Sequence, residues 1–111
     1  MTLYFNKELH RGVVLGTDGS VHVQLFEEPL YQTIGKVVKG WTEIVRLPGE
    51  PYVLIVNEEG LLLDMPVNAI ASMLYHETIV GPAVIMRVVM TDEGPDIAGL
   101  ADDDPLLEGL A

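Results

Sequence analysis

At 111 residues with 49% apolar side chains, the chain is sized and composed for one globular domain with a core, and disorder is excluded. It has no cysteine, which rules out disulfides, thiolate metal sites and thiol nucleophiles. Seventeen carboxylates face six Lys and Arg, a net charge of −11 that argues against direct nucleic-acid binding, where cations must displace counterions.

Seven of the carboxylates (Asp92, Glu93, Asp96, Asp102, Asp103, Asp104 and Glu108) fall in the last twenty residues, where there is no Lys or Arg. The remainder is only mildly acidic. The plainest role of such an end is solubility, although a basic partner, or mimicry of nucleic acid toward a protein that binds it, is also compatible. No apolar stretch of the kind found in secretory signals follows Lys7 and Arg11. The longest apolar run, Thr78 to Met86, is too short to span a bilayer and is broken by Gly81-Pro82. A soluble, cytoplasmic protein with no membrane association is expected.

In chain order, Thr2–Asn6 reads as a short strand. Arg11–Gly16 and Ser20–Phe26 flank Thr17-Asp18-Gly19, the signature of a hairpin closed by a type I′ turn. In the second arm, Val21, Val23 and Leu25 alternate with His22 and Gln24, which predicts the three apolar residues on the buried face. Glu27-Glu28-Pro29 opens a helix with Pro29 at its first position. Its stripe is Leu30, Ile34, Val37, Val38 and Trp41, and Gly40 is its stop; Gly35 marks close packing against a strand. Thr42–Leu47 is the next strand, and Pro48-Gly49-Glu50-Pro51 turns the chain. Tyr52–Val56 is uninterruptedly apolar, so it belongs inside a sheet with both faces covered.

Glu58-Glu59-Gly60 is a turn, and Leu61–Leu63 a brief extended step. Pro66 starts a second helix with stripe Val67, Ile70, Ala71 and Leu74. Thr78–Met90 is a long strand bent at Gly81-Pro82. From Thr91 on, Gly, Pro and Asp predominate, with a single helical turn at Pro105–Leu110. The expected architecture is α+β: a mostly antiparallel sheet with two helices packed on one face, formed by residues 1–90, and an acidic, flexible tail over 91–111.

This order of elements resembles a family of small proteins from phages and mobile elements, the domain of unknown function 3846 family. The resemblance is carried by Asn57-Glu58-Glu59-Gly60, Leu62-Leu63, Pro66 and Asn68, with Ile34–Trp41 leading into Glu43-Ile44-Val45, and Ile79-Val80-Gly81 before the last apolar run. It spans roughly Val13 to Arg87. It implies no activity, cofactor or active site; it implies a genomic setting in which small acidic proteins act on host components.

No catalytic constellation is present. His10, His22 and His76 lack the spacing of a metal-binding helix, so no metal or cofactor is expected, and His76 is placed at a helix end. Glu58 and Glu59 share a polar turn and stay in water. Asn57 and Asn68 flank a sharp turn, where side-chain amides can hold the polar edge of a ligand. The simpler reading gives Asn57 an Asx turn and ties Asn68 to a neighbouring loop. Arg46 and Arg87 are the strand cations available to such a ligand site.

Two function classes follow. The first is a non-enzymatic interaction module acting on a host protein through a sheet edge or its acidic surface. A homodimer would then form if the long apolar strand lies at an edge. The second is a binder of a small, nucleotide-like signal at Asn57, Asn68, Arg46 and Arg87.

Overall fold

The computed structural model describes residues 9–49 and 51–108. The strand expected at Thr2–Asn6 lies outside them. The hairpin forms as predicted, with β1 (Leu9–Leu15) antiparallel to β2 (Val21–Glu27) and Val13 opposite Val23. Its turn differs from expectation. Gly19 has φ +87, and no other residue of the turn has a positive φ, so the turn is not type I′. The Gly19 N–H instead bonds the Gly16 carbonyl at 3.1 Å, and the Ser20 N–H bonds Asp18 Oδ1 at 2.9 Å.

The face of β2 predicted to be buried is not the one that carries its buried residue. Phe26 is its buried residue, on the side shared with His22 and Gln24, while Val21 and Leu25 are exposed. The cause lies across the ladder at Gly12. A Cβ there would sit 3.1 Å from the Phe26 ring and 2.9 Å from Val84, so glycine makes room for an aromatic ring that the alternation of β2 alone does not reveal.

Helix α1 (Leu30–Val38) buries Ile34 and Val38, with Leu30 and Val37 packed partly against the same core. Pro29 is the residue before the helix, one place earlier than expected. The helix ends at Lys39, in the left-handed region with φ 69, where its N–H bonds the Gly35 carbonyl. That reversal takes Trp41 out of phase with the stripe, and it is 72% exposed rather than core. Gly35 is close to the carbonyl of Gly40, 3.1 Å from where a Cβ would be, so it accommodates the helix's own end rather than a strand.

Strands β3 (Thr42–Arg46), β4 (Tyr52–Asn57) and β5 (Ala83–Thr91) complete the sheet with β6 (Gly94–Ala98). The order is β2-β1-β5-β4-β3, all antiparallel, and β6 pairs with the far half of β5. Val53 to Val56 are buried on both faces, as their apolar run predicts. The long strand, β5, is central and has neighbours on both sides. β4 flanks it over Val84–Arg87 on one side, and β1 and then β6 on the other, so the long apolar strand is not the edge strand on which the homodimer expectation was conditioned.

The fold class is α+β, with a six-stranded antiparallel sheet and two helices among the described residues. The helices do not share a face. Ile34 and Val38 of α1 join Val14, Phe26, Val53, Ile55, Val84 and Met86. Ala71 of α2 (Ala69–Tyr75) joins their strand neighbours Val13, Leu15, Leu54, Val56, Ala83 and Ile85. Successive strand residues point to opposite sides, so these are the two faces of one sheet. Both faces of β4 and β5 are apolar because each has its own cover.

The second helix begins at Ala69, after the Asn68 cap, and turns Ala71 and Tyr75 inward instead of Val67 and Leu74. His76 is its left-handed C-cap, at the helix end foreseen for it. Leu61–Leu63 forms tight turns with exposed side chains rather than an extended step. Residues 91–108, expected to form a flexible tail, supply β6 and the buried Leu100, and the single helical turn expected at Pro105–Leu110 is present as a 3-10 turn at Pro105–Leu107. No helix of the described residues is long and apolar enough to cross a membrane.

Candidate functional site

Among the described residues, strand β3 has a neighbour, β4, on one side only. Two bonds fix which way its main chain points. The Trp41 carbonyl accepts from the Glu58 N–H at 2.8 Å, and the Leu47 N–H donates to the Tyr52 carbonyl at 3.1 Å. Alternate residues of an antiparallel strand address the same neighbour, so 41, 43, 45 and 47 serve β4. Thr42, Ile44 and Arg46 therefore turn their N–H and C=O groups outward.

The side chains of those same residues border the α1 face. Thr42 and Ile44 line a groove of about 310 Å³ with Tyr31, Ile34, Ile55 and Ile97. Ile44 and Arg46 continue into a second hollow of about 280 Å³ beside Val53, Val88 and Pro95. Ile44 is 52% exposed, a large apolar residue on an open edge. Glu28 and Asp96 are the charged residues of the first groove, and Arg46 is the cation of the second. The result is an open backbone edge, an apolar groove beside it and a predominantly acidic border.

The four residues singled out from sequence do not form one site. Asn57 is buried; its Nδ2 donates to the Val38 carbonyl at 3.0 Å and its Oδ1 accepts from the Glu59 N–H at 2.7 Å. It thus caps the end of α1 and closes the Asx turn. Asn68 is 0% exposed, with Nδ2 donating to the Leu15 and Gly81 carbonyls at 2.9 Å each and Oδ1 accepting from the Ala71 N–H at 3.1 Å. Both amide hydrogens of Asn68 are committed to the fold. Asn57 borders a hollow of about 410 Å³ with Glu58, Leu61, Tyr75 and Val80, of which Asn68 is not part. Arg46 is on the β3 groove, and Arg87 lines a separate polar hollow beside Arg11.

Trp41 was missed as a surface feature because it was assigned to the helix's apolar stripe, and Ile44 because it was read only as part of the strand Thr42–Leu47. The available signal was the pair Lys39-Gly40, which ends the helix just before Trp41.

Residues 10–107 match the family model described as Domain of unknown function (DUF3846). The chain belongs to this family. The family match takes in both helices, all but the first residue of the sheet and the 3-10 turn, so the fold described here is the family's unit. No curated protein sequence matches the chain. Among solved structures, the fold is similar to part of the crystal structure of small RNA methyltransferase HEN1, with a TM-score of 0.66 over 87% of this chain at 15% identity. The chain corresponds to 15% of that protein, and at this identity the likeness is one of fold.

Proposed function

We propose that the protein is a non-enzymatic interaction module that captures an extended segment of a partner protein as an added strand beside β3. Following the resemblance read from its sequence, it is a phage or mobile-element protein and the partner is a host component. The observation that carries this reading is the coincidence on Thr42, Ile44 and Arg46 of outward main-chain groups and side chains facing an apolar groove. Strand addition uses those two features together: main-chain bonds give affinity, and pockets for alternate side chains give selectivity. The Glu28 and Asp96 border, within a chain of net charge −11, favours a segment whose apolar residues alternate with basic ones.

Ile44→Pro tests the proposal. It removes an outward N–H while leaving the ladder to β4 intact, which an edge strand tolerates. Wild type and Ile44→Pro, both shown folded by circular dichroism, would be incubated with a bacterial lysate and compared by native mass spectrometry. A protein adduct kept by wild type and lost by Ile44→Pro, with amide exchange slowed at Thr42, Ile44 and Arg46 in the adduct, supports the reading. An adduct retained by both variants overturns it. A dimer of the chain itself that Ile44→Pro dissolves would replace the foreign segment with a second copy.

A further inference from the structure

The chain is poor in cations, yet two of its six Lys and Arg residues converge on one place. Arg11 from β1 and Arg87 from β5 line a polar hollow of about 360 Å³, with His10 beside them and residues 98–102 along one wall. This hollow shares no lining residue with the groove at β3.

The wall is built to hold both guanidinium groups. Arg11 Nη1 donates to the Leu100 carbonyl at 3.1 Å, and Arg87 Nε donates to the Gly99 carbonyl. Gly99 lets this segment lie against the β1 main chain, since a Cβ there would be 2.5 Å from the Arg11 main-chain nitrogen and 2.8 Å from His10 Cα. The Leu100 N–H in turn bonds the Arg11 carbonyl at 2.8 Å.

The charges do not balance. Arg11 is paired with Asp102 at 2.7 Å, a side chain 91% exposed, and His10 is bonded to Glu28 at 2.8 Å. Arg87 is half-buried and has no ion-pair partner among the described residues. Charged groups withdrawn from water are ordinarily matched. Two guanidinium forks, each fixed by one main-chain carbonyl, keep further N–H donors in the geometry that oxyanions accept. One exposed carboxylate offsets a single charge; a phosphate dianion would offset both.

We propose that this hollow is a binding site for a phosphate group, read by Arg11 and Arg87, and that Asp102 is its built-in competitor. An exposed ion pair is a weak bond, so a dianion that engages both forks can displace the Asp102 carboxylate from Arg11.

The test is a titration with inorganic phosphate at constant ionic strength, followed by NMR at the Gly99 and Leu100 amides and the arginine Nε–H signals. Saturable shifts at these positions are expected. Asp102→Asn, at an exposed site, tightens binding about fivefold, and Arg87→Gln weakens it at least about tenfold. Arg46→Gln, on the other groove, leaves it unchanged. Linear shifts reproduced by chloride overturn the site. So does Asp102→Asn without tighter binding, a result that stands even if Arg87→Gln does not fold. Succinate binding as tightly as phosphate overturns the assignment to phosphate.

Discussion

The two faces of the sheet are closed by different physical means. On one, α1 lays a regular apolar stripe over Val53, Ile55, Val84 and Met86, and contact between hydrocarbon surfaces does most of the work. On the other, α2 has seven residues and fully buries only Ala71. The rest of that cover is turn and coil, fastened by polar ties: Asn68 to Leu15, Gly81 and Ala71, and the Ser72 hydroxyl to both the N–H and the carbonyl of Ile79. A short helix lacks the area to hold itself down, so buried hydrogen bonds add to the apolar contacts that Leu47, Ile79 and Leu100 make on that face. The lesson is that an amphipathic stripe identifies only the first kind of cover.

The largest effect should come from breaking the polar closure. Asn68→Ala leaves the Leu15 and Gly81 carbonyls without their donor and the Ala71 N–H without its acceptor, all in a buried setting. We expect a loss of about 3–5 kcal/mol, since each abandoned buried group costs roughly 1–3 kcal/mol. Urea unfolding would measure it. Native-state hydrogen exchange should show the loss of protection greatest around Ala71 and Ile79–Gly81, with α1 affected least. Equal loss over both faces would mean that the two closures are one cooperative unit.

The matching break on the apolar side is Ile34→Ala. Ile34 is 1% exposed and central to the α1 core, so its truncation should cost about 2–4 kcal/mol through lost burial and the cavity left behind. Here exchange should rise first in α1. Because Ile34 also lines the groove at β3, this variant is expected to weaken the proposed strand capture as well. Asn68→Ala should spare capture once allowance is made for the unfolded fraction.

The same contrast explains what could be read from the residues. The hairpin, the stripe Leu30, Ile34, Val37 and Val38, and the buried run Val53–Val56 were legible because each depends on local turn chemistry or periodicity. The family was legible from the ordered turn and cap residues around Asn57 and Asn68. Failures began where a choice depended on a distant partner. Val21, Val23 and Leu25 had the better alternation, but Phe26 won the buried side because Gly12, across the ladder, left room for its ring. β6 was hidden because Gly94, Pro95 and Asp96 are poor strand formers. They pair because β5 extends beyond β1 and offers them a free flank. Asn57 and Asn68 were visible as unusual amides, and the structure uses each as a fastening. The convergence of Arg11 and Arg87 carried no sequence signal, since it depends on β1 and β5 being neighbours in the sheet and on the Gly99–Leu100 carbonyls that hold both guanidinium groups.

The smallest effect should come from a group that belongs to neither closure. Asp18 sits in the exposed β1–β2 turn, and its carboxyl is held below the ordinary value of 3.8 by hydrogen bonds with the Ser20 side chain and N–H. A folded-state pKa below the unfolded one stabilises the protein above the unfolded value, and that contribution is lost as pH falls through the folded value. Asp18→Asn should therefore be slightly less stable than wild type at neutral pH, and the gap should shrink well below pH 3.8. Urea midpoints of the two proteins compared across that range would show it. The substitution should leave the relative exchange rates of α1 and of residues 68–81 unchanged, because the turn joins two strands whose opposite faces both closures share. If Asp18→Asn instead loosened one face selectively, the hairpin would belong to that face's closure, and the division between an apolar and a polar cover would have to be redrawn around it.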